Sequence, residues 1–155
     1  MHSLSYAVSE RYDPVPKTIP LVSIVDDDHS VRRALRRLVR LANFAAETFA
    51  SAEDFLTSSF LERTACLVLD IHLNGGMSGF ALQARLTADR FVIPIIFITA
   101  HDDVSLRERA EASGAAAYLC KPFNDEVLLD AIRGALGGNG TSMDQGPIGT
   151  CVAPG

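Results

Sequence analysis

Four polar or charged segments of this sequence each follow a short apolar run, and together they offer the groups that phosphoryl chemistry needs. They are Asp26-Asp27-Asp28 after residues 21–25, Asp70 after 65–69, Thr99 after 91–98, and Lys121 after 115–120. In a parallel α/β sheet the carboxyl ends of all strands lie on one edge, and ligands bind there. We therefore expect carboxylates, a hydroxyl and an ammonium group to meet in one site.

The carboxylates among these groups predict a magnesium site. Crowded carboxylates repel one another, and Mg²⁺ is a cation that prefers oxygen ligands and few protein carboxylates. We expect Asp27 and Asp70 to bind it directly, Asp26 to act through water, and the backbone carbonyl of His72 to be a further ligand. The other interpretation of this acidic run is helix capping. We assign that role to Asp28, because an N-cap needs one acid.

Three of the residues are candidates for the chemistry itself. Asp70 is placed to attack a phosphoryl group and form an acyl phosphate, Lys121 to hold phosphoryl oxygens as a point charge, and Thr99 to donate its hydroxyl to one of them. Each also has an ordinary interpretation, as a turn aspartate, a surface lysine and a strand threonine. Phosphoryl transfer needs a nucleophile, a metal and cations, and the set adds no general base for fast hydrolysis. It therefore favours a long-lived phosphorylated state.

The elements that would position these residues alternate between strand and helix. Apolar side chains of the first helix fall on one face of a 3.6-residue period, at positions 31, 35, 38, 39 and 42. We predict strands at 21–25, 44–49, up to 70, 92–99 and 116–120, and helices at about 30–42, 51–60, from 78–80, from 102–103 to 113, and 124–136. This alternation predicts an α/β fold with a doubly wound, flavodoxin-like sheet of five parallel strands in the order 2-1-3-4-5.

Composition divides the chain of 155 residues into three parts. Residues 1–19, with prolines near their end, are expected to be a flexible extension, and 20–137 to be the folded domain. Residues 138–155 are rich in Gly, Pro and small polar side chains, which predicts a disordered tail. A tail of this length holds no output domain, so we expect the folded domain to act alone.

Four segments, IVDDDHSVR, LVLDIHL, FITA and YLCKPF, occur in this order along the chain. Over about residues 20–137 the sequence resembles the receiver domain of bacterial two-component response regulators. The resemblance implies Asp70 as the phosphoacceptor, Asp26 and Asp27 as the acidic magnesium pair, and Thr99 and Lys121 as residues that sense the phosphoryl group.

The resemblance also implies a switch. Tyr118 is expected to turn inward when Thr99 closes on the phosphoryl group, and the peptide bond between Lys121 and Pro122 is expected to be cis. Such a domain phosphorylates itself from a donor and slowly loses the group again, and it is not otherwise an enzyme. The implied partners are a histidine kinase or histidine phosphotransfer protein and a downstream protein target, with a phosphorylation-dependent homodimer as a further option.

The loop after Asp70 departs from the family pattern. Receiver domains usually have Met-Pro-x-Met-x-Gly here, whereas this chain has HLNGGMSG, without proline and with Gly79 one residue later. We expect a longer and more mobile loop. His72 and His101 flank the site and are expected to be exposed loop histidines; the alternative hypothesis is that they tune the access of water to the acyl phosphate.

Charge and hydropathy limit the partners. The net charge of −5 argues against general nucleic-acid binding, and the arginines of the first helix are not interleaved with aromatic side chains. We expect no direct contact with nucleic acid. No apolar segment is long enough to cross a bilayer and no signal-peptide core begins the chain, which predicts a cytoplasmic protein without membrane contact.

Two other functions fit parts of the pattern. In a phosphohydrolase of the haloacid dehalogenase type, Asp26 would be the nucleophile and Asp28 the acid, but the chain has no length for the usual cap domain. The second is an interaction module that works without phosphorylation, in which the acidic residues set only the local charge.

Overall fold

The computed structural model describes residues 18–137, in which five strands and five α-helices alternate. They are β1 (Leu21–Val25), α1 (His29–Leu41), β2 (Ala45–Phe49), α2 (Ala52–Leu56), β3 (Thr64–Asp70), α3 (Gly79–Ala88), β4 (Ile95–Thr99), α4 (Val104–Ala112), β5 (Ala117–Cys120) and α5 (Asp125–Gly137). The expected C-terminal tail and most of the expected N-terminal extension lie outside the described residues.

All strand pairs are parallel, and the sheet order is β2-β1-β3-β4-β5. The predicted fold class and strand order are confirmed. The direction of winding reverses between β1 and β3, which is where ligands bind in such sheets. Because Val25 is in register with Leu69, the residues that follow them, Asp26 and Asp70, lie side by side.

Helices cover both faces of the sheet. α1 and α5 pack on one face around Val22, Val68 and Ile96, and α2, α3 and α4 contribute to the other, where Leu67, Leu69 and Phe97 are buried. Burial on both sides explains why β3 and β4 are almost continuously apolar. The packed sheet is thus a rigid base for the loops at its carboxyl edge.

Three side chains fix the start of the helices that follow the site loops. Asp28 caps α1 and accepts hydrogen bonds from the amides of Ser30 (2.8 Å) and Val31 (3.3 Å). Ser78 caps α3, and Asp103 caps α4. Each cap satisfies backbone donors that have no partner within the helix. The capping role predicted for Asp28 is confirmed.

Two predicted boundaries were wrong. β4 begins at Ile95 rather than at 92, because Pro94 has no amide to donate; its carbonyl instead accepts from the Leu67 amide at 3.0 Å. α2 ends at Leu56 rather than near 60. There the Ser58 hydroxyl donates to the Phe55 carbonyl and accepts from the amide of residue 60, and such local bonds compete with helix continuation.

Candidate functional site

Three carboxylates meet where β1 and β3 end. Carboxylate oxygens of Asp26, Asp27 and Asp70 all lie within 4.8 Å of one another. Asp26 is fully buried, Asp70 is 5% exposed, and Asp27 is half-buried at the rim. The structure therefore brings together the acidic residues that the sequence placed at one edge.

Lys121 supplies the positive charge of this cluster. Its Nζ lies 2.8 Å from Asp26 Oδ2 and 3.5 Å from Asp70 Oδ2. The Lys121 amide donates to the Thr99 carbonyl at 2.7 Å, which holds the end of β5 against the end of β4. Burial works to lower the pKa of the Lys121 ammonium, but the hydrogen bond and charge of Asp26 and the charge of Asp70 outweigh it and raise the pKa. The group therefore stays a cation.

Asp26 is held from several directions. Its Oδ1 accepts from the Asp28 amide at 2.9 Å, its Oδ2 faces Lys121, and its backbone carbonyl accepts from the Arg32 guanidinium at 2.9 Å. With Asp26 so bound and the Asp28 carboxylate engaged in the helix cap, the two do not form the nucleophile and acid of a phosphohydrolase. The geometry gives that alternative no support.

Asp70 has a perturbed carboxyl group. Burial and then the negative charge of Asp26 raise its pKa from 3.8 to about 6, against the opposing effect of Lys121. The His72 amide donates to Asp70 Oδ1 at 3.1 Å. A carboxyl group perturbed by burial and by specific charges, at the carboxyl edge of a parallel sheet, is a candidate functional group.

Thr99 ends β4 beside this cluster. Its predecessor Ile98 is in register with Asp70, and its side chain is fully buried. The Thr99 hydroxyl accepts from the His101 amide at 3.0 Å. A hydroxyl can donate and accept at once, so this bond leaves its proton for another acceptor.

The two flanking histidines contact each other. The ring centroids of His72 and His101 are 4.6 Å apart with the planes at 76°, and both residues are exposed, as expected. The contact that His72 makes with the cluster is through its amide. Its carbonyl as a metal ligand stays a prediction.

Tyr118 lies on β5 in register with Phe97, and its side chain is turned inward. That the phosphoryl group drives this inward turn stays a prediction. The residue is fully buried, its hydroxyl lies 3.5 Å from the His101 carbonyl, and burial raises its pKa. The Arg107 guanidinium lies 5.8 Å from the centre of its ring and 3.5 Å from Asp102. The peptide bond that follows Lys121 is cis, as the resemblance implied.

Two contacts of the site were not foreseen from the sequence. The Asn74 amide donates to Asp27 Oδ2 at 2.8 Å, and the Met77 amide donates to Glu53 Oε2 at 2.9 Å. In the sequence Glu53 is only an acid in the first turn of a short helix, which is common there for its interaction with the helix dipole. No signal in the sequence connected it with the loop after β3.

The donor set fits a magnesium ion. Three carboxylates offer hard oxygen ligands from two neighbouring strands, and Mg²⁺ usually combines one or two carboxylates with several waters. Among the described residues these three are the acidic group close enough to share one cation. Receiver domains generally bind Mg²⁺ at such an acidic pocket.

The fold and site define the class of protein: a doubly wound α/β domain with an acidic cluster, a threonine and a lysine at the carboxyl edge of its sheet. The profile of the response regulator receiver domain matches residues 22–133. The chain belongs to this family, whose members signal in two-component systems through histidine kinases and downstream effectors. The resemblance stated from the four segments is confirmed.

Similar proteins come from bacteria. Nodulation protein W of Bradyrhizobium diazoefficiens is 43% identical over 118 residues, which cover 76% of this chain and 52% of that protein. Response regulator protein TodT of Pseudomonas putida is 40% identical over 116 residues, or 75% and 51% of the two chains. The chain thus spans about half the length of these curated relatives.

A solved structure agrees with this assignment. The crystal structure of a response regulator receiver protein from Burkholderia phymatum superposes with a TM-score of 0.67 at 45% identity, covering 76% of this chain and 95% of that one.

Across residues 18–137, none of the helices combines the length and the apolar character that a bilayer crossing requires.

Proposed function

We propose that this domain accepts a phosphoryl group on Asp70 from a histidine kinase or histidine phosphotransfer protein and passes the signal to a protein partner by a conformational switch. The observation that carries the proposal is the Asp70 carboxylate, buried next to Asp26 and within 3.5 Å of the Lys121 ammonium. Family membership supports it, because phosphorylation-dependent signalling is general to receiver domains.

The reaction follows from these groups. An oxygen of Asp70 attacks the phosphorus of the donor, the bond from phosphorus to the donor nitrogen breaks, and that nitrogen leaves with its electron pair. Asp27, Asp70 and the His72 carbonyl would hold Mg²⁺ directly and Asp26 would hold it through water, and the ion would supply positive charge for the phosphoryl oxygens.

The remaining residues act on the phosphoryl oxygens. Lys121 holds one of them as a point charge, and the Thr99 hydroxyl donates to another. The domain thereby catalyses its own phosphorylation and its own slow dephosphorylation.

The conformational switch begins at Thr99 and reaches the surface through its contacts with neighbouring residues. The Thr99 hydroxyl that donates to the phosphoryl group also accepts from the His101 amide, and the His101 carbonyl faces the Tyr118 hydroxyl, so a movement of Thr99 reaches both residues. The phosphoryl group thus favours one packing of this region over another. We place the surface that the partner senses on α4, β5 and α5.

Several finer expectations stay predictions: folded-domain limits of 20–137, action as a stand-alone receiver, a cytoplasmic location and the absence of nucleic-acid contact. Relatives such as the transcriptional regulatory protein FixJ of Azorhizobium caulinodans, 35% identical over 132 residues, are named for transcription. For the present chain we propose a protein target.

The test is phosphorylation by acetyl phosphate, a small donor, followed by the intact mass of the protein. We expect a gain of one phosphoryl group that needs Mg²⁺ and is absent in Asp70→Asn. The matched control is Asp28→Asn, which changes a neighbouring acid but keeps the helix cap, and should be phosphorylated like the wild type. Phosphorylation that persists in Asp70→Asn, or no phosphorylation from either acetyl phosphate or a panel of histidine kinases, would contradict the proposal.

A further inference from the structure

The loop between β3 and α3 is tied to the rest of the domain at two points, one on each side of Gly75-Gly76. On one side the Asn74 amide donates to Asp27 Oδ2 at 2.8 Å. On the other the Met77 amide donates to Glu53 Oε2 at 2.9 Å. Both acceptors are carboxylates, and hydrogen bonds to charged acceptors are stronger than neutral ones.

The glycines between these anchors are needed for the path of the loop. Gly75 has φ of 65° and Gly76 has φ of 137°, values that side chains of L-residues rarely allow. A Cβ on Gly76 would also lie 2.9 Å from Glu53 Oε2. The backbone therefore passes directly against the Glu53 carboxylate, and this close contact fixes where the loop crosses α2.

The first anchor bears on the candidate magnesium ligands. Asp27 belongs to the cluster whose oxygens lie within 4.8 Å of one another. In the described part of the chain its carboxylate receives one hydrogen bond, at Oδ2, from the loop. This bond orients the side chain and leaves Oδ1 for a cation. Groups that orient a ligand in this way commonly set metal affinity.

We infer that Glu53 is a positioning residue of the magnesium site: by holding the Met77 amide it keeps the loop where the Asn74 amide orients Asp27. The inference rests on the proposed function and adds to it a residue outside the acidic cluster. Two glycines with positive φ separate the two anchors of the loop, and the Glu53 carboxylate holds the backbone that follows them.

The experiment compares three variants of the full chain. Glu53→Asp keeps the charge but is one methylene too short to reach the Met77 amide. Glu53→Gln loses the charge but keeps an oxygen acceptor at the same reach. Asp54→Asn is the matched control, since Asp54 lies in the same turn and its carboxylate makes no contact with the loop in the described structure. Mg²⁺ affinity is measured by calorimetry, and amide exchange of Asn74 and Met77 by NMR without metal.

We expect Glu53→Asp to bind Mg²⁺ about tenfold more weakly than the wild type, at the lower end of the effects of groups that orient metal ligands. The Asn74 and Met77 amides should exchange faster in this variant. Asp54→Asn should stay within about twofold of the wild type, because it keeps the Glu53 acceptor. Glu53→Gln should bind Mg²⁺ about threefold more weakly, because it keeps the hydrogen bond from Met77 but with a neutral acceptor.

Two results would overturn the inference. One is a Glu53→Asp variant with the wild-type Mg²⁺ affinity. The other is a Glu53→Gln variant as weak as Glu53→Asp or weaker, which would assign the effect to charge rather than to the hydrogen bond. Phosphorylation of the wild type by acetyl phosphate separates this test from the proposed function: a wild type that takes up phosphoryl groups while Glu53→Asp binds Mg²⁺ normally contradicts only the role of Glu53.

Discussion

The Lys121 ammonium is closer to Asp26 than to Asp70: its Nζ lies 2.8 Å from Asp26 Oδ2 and 3.5 Å from Asp70 Oδ2. The lysine thus compensates mainly Asp26, the fully buried acid that follows β1. The candidate phosphoacceptor is left with less compensation, and burial together with the charge of Asp26 raises its pKa to about 6. An incompletely neutralised carboxylate suits a site that has still to bind a cation and a phosphoryl group.

Replacement of Lys121 by methionine should destabilise the metal-free protein. It leaves the buried carboxylates of Asp26 and Asp70 without their cation, and we expect the free energy of unfolding to fall by about 1–3 kcal/mol. Added Mg²⁺ should recover part of this loss, because it supplies positive charge to the same carboxylates. Urea denaturation with EDTA or with Mg²⁺ measures both effects.

The control for this change is Arg133→Met. Arg133 forms ion pairs with Asp130 and Glu126 on the exposed face of α5, and such pairs contribute about 0–1 kcal/mol. Arg133→Met should therefore lower the free energy of unfolding only slightly, and by the same amount with EDTA as with Mg²⁺. A Lys121→Met variant as stable as the Arg133 variant in EDTA would show that the pair with Asp26 is energetically unimportant.

The raised pKa of Asp70 predicts a pH dependence of stability in the absence of divalent cations. Because the folded protein binds this proton more tightly than the unfolded chain, ionisation of Asp70 costs stability, and this cost develops as the pH rises through about 6. The neutral variant Asp70→Asn should therefore be more stable than the wild type at about pH 8. The difference should shrink on acidification and vanish below about pH 4.

Urea unfolding of both proteins across this pH range tests the sign. A stability difference that is constant with pH would mean that Asp70 titrates normally. If Asp70→Asn gained stability relative to the wild type on acidification, the pKa of Asp70 would be lowered rather than raised.

The position of the acidic residues could be predicted from the sequence because it follows from the order of the strands in the sheet. Once alternating strands and helices predict a parallel sheet, the residues that follow each strand must share one edge. Asp26 and Asp70 then become neighbours through the strand order alone. The capping role of Asp28 could also be predicted, since an acid directly before a helix is a common N-cap.

Other features depend on details that local patterns do not carry. The contact between Glu53 and Met77 exists because Gly75 and Gly76 take positive φ values, and glycine permits many other loop paths equally well. Lys121 Nζ lies 2.8 Å from Asp26 Oδ2 and 3.5 Å from Asp70 Oδ2. Side-chain packing sets this difference of 0.7 Å, which the sequence does not reveal. The early end of α2 depends on which hydrogen bonds the Ser58 hydroxyl makes.

Gly79 should be intolerant of a side chain. A Cβ there would lie 2.5 Å from the Asp70 carbonyl oxygen and 2.9 Å from Ile71 Cα, so the backbone that carries the phosphoacceptor would have to move. We expect Gly79→Ala to destabilise the protein by about 1–3 kcal/mol, the usual cost of an overpacked site. It should also slow phosphorylation by acetyl phosphate.

Gly134→Ala is the matched control. Gly134 lies within α5, and among the described residues a Cβ there would meet no atom beyond its own stretch of helix within 4 Å, so alanine should stabilise the helix by about 0.5–1 kcal/mol. Thermal unfolding of the two variants should shift in opposite directions. A shift in the same direction would show that the close approach of α3 to the Asp70 backbone is not what selects glycine at position 79.

Adjacent acids at the end of β1 should respond differently to alanine. Asp28 caps α1, so Asp28→Ala should lose about 1 kcal/mol of stability, with or without Mg²⁺, and keep its metal affinity. Asp27 lies within 4.8 Å of two other carboxylates and accepts from the Asn74 amide. Asp27→Ala relieves the repulsion but loses this hydrogen bond, and because the two effects oppose each other the stability of the metal-free protein should change little. Asp27→Ala should instead remove most of the stabilisation that Mg²⁺ gives the wild type, because that stabilisation follows from binding to the folded state. Unfolding midpoints of both variants across a Mg²⁺ titration separate the two roles, and a full Mg²⁺ response in Asp27→Ala would exclude Asp27 from the ligand set.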